Sequence, residues 1–229
     1  MLSYDELKPW GRNLDEYRRM FALDGDLDQR ILGCGDGPAS FNQELTARGG
    51  TVTSIDPIYR FTRAQIAERI AASYDDVVSQ TRAHQDKFVW TTISSVEELA
   101  RRRMAAMQRF LDDYEAGLGA GRYVPAELPT LPFPDGAFDL AVCSHALFLY
   151  SDLLDEDFHF DSIVEMCRVA SEARVFPLLD YNGVRSFHLD PVRERLYEAG
   201  LTASVERVEY EFQRGGNEML RVRARRSRD

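Results

Sequence analysis

The run Ile31-Leu32-Gly33-Cys34-Gly35-Asp36-Gly37 constrains this chain more than any other segment. Glycines at alternate positions after an apolar strand let the backbone turn sharply and approach a ligand with no side chain between. The β-branched run Thr51 to Ile55 then closes on Asp56-Pro57. That puts a carboxylate at the tip of the next strand, about twenty residues on, where it accepts hydrogen bonds from the ribose of an adenosine-containing cofactor. A dinucleotide fingerprint, Gly-x-Gly-x-x-Gly, would place its third glycine at position 38. That residue is Pro38, and the third glycine is Gly37. The spacing points away from a dinucleotide.

The flanking pattern is alternating α/β. Arg30 to Leu32 is a short strand, and Pro38 to Arg48 reads as a helix with Phe41 and Leu45 on one face, stopped by Gly49-Gly50. With Thr51–Ile55 this is one βαβ unit on a parallel sheet. Residues 1–27 carry helical spacing through Leu14, Tyr17, Met20 and Phe21. The stretch of about 58–121 holds two helical segments, about 62–83 and about 95–116, more helix than one crossover requires. We expect an insertion there that covers the ligand edge of the sheet and forms a lid with the N-terminal segment. Val96, Leu99, Arg103, Met107, Phe110 and Tyr114 follow a helical stripe that a single arginine breaks. Phe88 to Ile93 reads as a strand or as a packed connection. Strands are expected at Arg122–Ala126, Phe138–Cys143 and Arg174–Leu179, and helices near 156–169 and 190–199. A terminal hairpin is expected to pair Val205, Val208, Tyr210 and Phe212 with Leu220, Val222 and Ala224, across Gly215-Gly216-Asn217.

Composition narrows the function. The net charge of −10 argues against a nucleic-acid partner. The local basic runs, Arg101-Arg102-Arg103 and Arg221 to Arg228, read as a solvated helix face and a chain end. Cys34, Cys143 and Cys167 are an odd number without metal-type spacing, as expected of buried thiols in a reducing cytoplasm. His84, His159 and His188 show no metal spacing either, so no metal is expected. The N-terminus lacks a secretion signal and no apolar run is long enough to span a bilayer. We therefore expect a cytoplasmic protein with no membrane partner.

With these pieces in place, the chain resembles the class I S-adenosylmethionine-dependent methyltransferases, in the manner of the type 11 methyltransferases. The resemblance rests on Ile31 to Gly37, on Asp56, and on Leu131-Pro132-Phe133-Pro134-Asp135-Gly136-Ala137-Phe138-Asp139. Val142-Cys143-Ser144-His145-Ala146-Leu147, Glu165-Met166-Cys167-Arg168-Val169 and the terminal hairpin complete it. It covers about 30–56 and about 122–226. It implies a Rossmann-like domain, with a seven-stranded, mostly parallel sheet, an antiparallel last strand, helices on both faces and a helical insertion after the second strand. It also implies S-adenosylmethionine as cofactor. Gly33, Cys34, Gly35, Asp36 and Gly37 would pass under its methionine and ribose, and Asp56-Pro57 would hold the ribose. Glu127 and Leu128 match the family's adenine-contacting pair. Ile58 packs on adenine or in the core.

Two positions depart from the family. Ile31 stands where an acid commonly helps to hold the methionine amino group, and the helix ending at Val169 runs on without a Lys-Pro-Gly-Gly turn. Arg12 is a candidate clamp for the cofactor carboxylate, as a planar bidentate donor, or a solvated surface arginine. Ser144 and His145 close a strand where an open sheet has its ligand crevice. His145 is either a general base or, the reading we favour, a residue that lines the pocket, because methyl transfer often needs no base. The expected activity is methyl transfer to a small molecule. Trp90, Phe110, Tyr114, Phe148 and Tyr150 are candidate contacts for an apolar acceptor or core residues. An aminopropyl transferase-like enzyme and a non-catalytic cofactor-binding module stay open as alternatives.

Overall fold

The computed structural model describes residues 8–23 and 28–225. Residues 1–7 and 24–27 of the N-terminal segment, and 226–229 of the basic tail, lie outside the described residues. The elements in chain order are α1 (Leu14–Phe21), β1 (Arg30–Cys34), α2 (Phe41–Ala47), β2 (Thr51–Ile55), α3 (Arg63–Ala83), α4 (Val96–Gly119) and β3 (Tyr123–Val124). They continue with β4 (Leu140–Ser144), α5 (Glu156–Val169), β5 (Glu172–Phe176), α6 (Leu189–Glu198), β6 (Leu201–Arg207) and β7 (Glu218–Ala224).

The seven strands run in the order β3-β2-β1-β4-β5-β7-β6. β1 pairs in parallel with β2 and β4, and β7 alone is antiparallel to both of its neighbours. This is the order, and the single reversed strand, of the class I methyltransferase fold. Side chains alternate across the sheet. Leu32 and Cys34 of β1 face the cluster that holds Ile163, Met166 and Leu196 of α5 and α6. Ile31 faces the opposite cluster, with Tyr17, Phe21, Phe41 and Leu45 of α1 and α2. β4 is buried along its whole length, as its apolar run requires.

Four of the described helices, α1, α3, α4 and α5, begin at a side-chain cap. Asn13 and Glu16 form a capping box for α1, and Thr62 and Gln65 do so for α3. Ser95 and Asp155 cap α4 and α5. α3 and α4 lie between β2 and β3 in sequence and close a third cluster around Tyr59, Phe110, Tyr114 and Tyr123. Phe88 to Ile93 is a packed connection with one isolated bridge, Phe88 to Gln213.

The main difference from the sequence reading is the end of the chain. β6 starts at Leu201, and Val208, Tyr210 and Phe212 lie beyond it. Val208 still donates its N–H to Asn217 O at 2.9 Å, just ahead of β7, whereas Tyr210 and Phe212 leave the sheet because better partners stand elsewhere. The Phe212 carbonyl accepts from Val89 N at 2.8 Å, and the Tyr210 hydroxyl donates to Glu16 Oε1 at 2.9 Å. The helix expected from Pro38 begins only at Phe41, because the chain at Ser40 is tied back through a bond from its N–H to Arg12 O at 3.0 Å.

Candidate functional site

β1 and β4 are neighbours whose connections run to opposite sides of the sheet, and a crevice opens at their C-terminal ends. The glycine turn forms its floor. Gly35 and Gly37 take φ of +69° and +53°, conformations that glycine adopts without a side-chain clash. Gly35 N donates to Ile55 O at 2.9 Å, and Gly37 N donates to Asp56 Oδ2 at 2.9 Å, so the turn is stitched to the end of β2. The other Asp56 oxygen accepts from Ile58 N at 2.8 Å. Burial pushes the Asp56 carboxyl up to about 6, against these two bonds.

Gly33 has a different task. A Cβ there would meet Asp36 Oδ2 at 1.9 Å, so its missing side chain leaves room for the Asp36 carboxylate to fold back over β1. That carboxylate is 7% exposed. It accepts from the Tyr17 hydroxyl at 2.8 Å and from Ser54 Oγ at 2.5 Å. Two neutral donors do not offset its burial, and its pKa is pushed up to about 7. By strand alternation Gly33 shares a face with Ile31. The Asp36 carboxylate thus lies on the same face of the sheet as Ile31, reaching it through the turn.

The N-terminal segment closes over this floor. At Gly11 a Cβ would stand 2.1 Å from Pro38 O, so only a glycine lets the chain pass so close. Arg12 follows, its Nη1 bonded to Trp10 O at 3.4 Å and its buried Nε without a partner among the described residues. On the opposite wall His145 adopts φ +58°, a left-handed conformation uncommon for a non-glycine residue and typical of functional sites. Its N–H donates to Phe176 O at 2.7 Å, and its Nδ1 lies 2.9 Å from Ser144 Oγ. Burial, then the positive charges of Arg12 and Arg103, hold its pKa well below the ordinary histidine value, so the ring is neutral at neutral pH. Glu127 stands at the rim, 3.9 Å from Arg60.

These elements enclose a chamber of about 390 Å³. Of the residues read from the sequence, it brings together Arg12, Gly35, Asp36, Gly37, Asp56, Pro57, Ile58, Glu127, Leu128, Ser144 and His145. Gly33 and Cys34 do not line it, and Cys34 is wholly buried in the core. A second chamber of about 330 Å³ shares the wall made by Trp10, Arg12, Val77, His145, Leu149 and Tyr181. Of the five aromatics read as acceptor contacts, only Tyr150 lines either chamber. Phe110, Tyr114 and Phe148 are core, and Trp90 packs edge-on against Phe212. Beyond the shared Trp10 and Tyr181, the second chamber is lined by the aromatics Phe88, Phe176, Tyr210 and Phe212. The sequence reading missed Arg103, Glu16 and the role of Tyr17. The signal available was the charged residue in the apolar stripe of α4.

The fold defines the class: a class I methyltransferase-type α/β sheet with its crevice at the glycine turn. The chain belongs to the same family as the uncharacterized protein MJ0045 of Methanocaldococcus jannaschii. The two are 33% identical over 215 residues, which span 93% of this chain and 94% of the relative. No family model matches the chain. Among solved structures, it is similar to magnesium protoporphyrin IX methyltransferase of Synechocystis PCC 6803 with bound SAM, at 12% identity and a TM-score of 0.49, over 93% of this chain and 78% of that one. A putative S-adenosylmethionine-dependent methyltransferase of Methanococcus maripaludis gives 10% identity and a TM-score of 0.47, over 94% and 84%.

Proposed function

We propose that this chain binds S-adenosylmethionine in the first chamber and transfers its methyl group to a small molecule in the second. The observation that carries the reading is Asp36, a buried carboxylate with no cationic hydrogen-bond partner among the described residues, folded over the glycine turn at the crevice. A buried charge without a partner is costly unless a ligand supplies one. The ammonium of the cofactor's methionine end is such a ligand. Asp56, with Pro57 and Ile58 behind it, takes the ribose hydroxyls, and Gly35 and Gly37 let the cofactor lie against the backbone. Glu127 and Leu128 edge the adenine. Arg12 holds the methionine carboxylate.

The cofactor supplies a methyl group on a sulfonium, a strong leaving group, so the protein has to align donor and acceptor and exclude water. The residues of this chain do that by enclosure. Trp10 and Tyr181 close the shared wall, and Ser144 fixes the His145 ring at its junction. The burial and the two arginines that keep this ring neutral also make it a weak base, so its part is to line the junction of the chambers rather than to take a proton. A guanidinium in the chamber favours a carboxylate-bearing cofactor over a decarboxylated one, which speaks against aminopropyl transfer.

Calorimetric titration with S-adenosylhomocysteine tests the reading. We expect one site with a dissociation constant on the order of micromolar, and much weaker binding of the decarboxylated cofactor. A folded protein that takes up neither S-adenosylmethionine nor S-adenosylhomocysteine at about 1 mM would refute it.

A further inference from the structure

The two chambers differ in charge. The first is lined by Asp36, Asp56 and Glu127 as well as by cations. The second has no aspartate or glutamate on its wall among the described residues, although the chain contains 38 acids. Its charged lining is cationic: Arg12, Arg103 and Lys87.

Each cation has a different account. Arg12 is the group assigned above to the cofactor carboxylate. Arg103, 1% exposed, is backed by Glu16, whose carboxylate bonds its Nη1 at 2.5 Å from outside the chamber wall. The second Glu16 oxygen is held by Tyr210, and Arg103 Nε has no partner among the described residues. Lys87 is half-buried at the chamber and makes no ion pair among the described residues. With Arg12 neutralised by the cofactor and Arg103 by Glu16, the chamber still keeps one positive charge and a fixed guanidinium edge. In an acidic protein such a pocket attracts anions. The uncharged lining includes a group of aromatics, with Phe88 and Phe212 stacked at 4.8 Å and Phe176 set edge-on to Tyr210 at 5.7 Å, beside aliphatic residues such as Leu99 and Leu149 and the amides of Gln80, Asn182 and Gln213. Rings of this kind accept flat apolar bodies by stacking and edge contacts. The volume of about 330 Å³ suits a small ligand of a few rings.

We infer that the methyl acceptor is a flat, mainly apolar molecule carrying an anionic group, a carboxylate or its like, with its ring body among the aromatics of the second chamber and its anion against Lys87 and Arg103. This rests on the first chamber being the cofactor site. A buried Arg103–Glu16 pair would also serve simply to tie α1 to α4. That role alone, however, explains neither the lack of any acid on the described chamber wall nor a Lys87 beside it that has no ion pair among the described residues.

The test is calorimetric titration of the full chain, with and without saturating S-adenosylhomocysteine, using three probe series: benzoate, indole-3-acetate and biphenyl-4-carboxylate, each with its neutral amide, plus tryptamine as a cationic control. We expect at least one carboxylate to bind about tenfold tighter than its amide, with tryptamine weakest. Lys87→Gln should cut that preference several-fold and leave S-adenosylhomocysteine affinity unchanged. The paired change Glu16→Gln with Arg103→Gln, which leaves no lone buried charge, should do the same. Three results would overturn the inference: equal binding of carboxylates and amides, no binding of any carboxylate, or a preference that survives all three substitutions together. Uptake of carboxylates by a protein that ignores S-adenosylhomocysteine would instead overturn the cofactor reading and leave the anion site standing.

Discussion

Glu16 and Asp36 are both buried carboxylates, 3% and 7% exposed, yet they titrate in opposite directions. Glu16 of α1 faces Arg103 of α4 and is held down to about 2, because the charge and hydrogen bond of Arg103, together with Arg12 and Tyr210, outweigh the cost of burial. Among the described residues Asp36 has only the hydroxyls of Tyr17 and Ser54 as hydrogen-bond partners, and burial wins, pushing it up to about 7. The protein neutralises one carboxylate internally and leaves the other for a cation from outside. This difference separates a joint of the fold from a binding site more clearly than burial does.

The strongest challenge to this contrast is removal of Glu16. We predict that Glu16→Ala costs about 3–5 kcal/mol of stability, read by urea unfolding, because it strands Arg103 in the core. Replacing the pair by apolar residues, Glu16→Leu with Arg103→Met, should recover most of the loss. If Glu16→Ala unfolds at the wild-type urea concentration, the joint is not a joint.

Asp36 should behave in the opposite way. Asp36→Asn is predicted to weaken S-adenosylhomocysteine binding by about 10- to 100-fold. It should also make the ligand-free protein more stable at about pH 8 and leave it unchanged near pH 4. The sign follows from the raised pKa. A carboxyl that titrates at about 7 in the fold, against 3.8 for an ordinary aspartate, destabilises the fold as pH rises through that interval and it ionises. Loss of stability at pH 8 would mean that Asp36 is a structural group.

A smaller effect concerns the wild type alone. Ligand binding at Asp36 and Asp56 needs both ionised, so S-adenosylhomocysteine affinity should climb with pH up to about 7, by at most tenfold per unit between about 6 and 7. In Asp36→Asn only the Asp56 inflection near 6 should remain. An affinity flat from pH 5 to pH 8 would contradict the raised values. Smallest of all, His145→Ala should change S-adenosylhomocysteine affinity by less than about threefold, since its ring sits where the two chambers meet.

Local pattern sufficed for the sheet core and the glycine turn. The apolar runs of β1, β2 and β4 and the Gly-x-Gly-x-Gly spacing each act over a few residues, so reading along the chain finds them. It also found Arg12, Asp56, Ser144 and His145, which the fold does bring to one crevice. It failed where a partner distant in sequence decides. Tyr210 and Phe212 alternate like a strand, but Glu16 and Val89 draw them off the sheet. Gly33 reads as a place for a ligand, but it makes room for Asp36.

The sequence by itself determined the parallel sheet, the sharp turn after its first strand and the acid at the tip of its second, because these follow from backbone stereochemistry and short-range periodicity. Only the tertiary structure decided the electrostatics. The charge state of a buried carboxylate depends on which group folding sets beside it, and the partners here lie far along the chain: Arg103 for Glu16, Tyr17 and Ser54 for Asp36. That long-range choice made one acid a strut and the other a site.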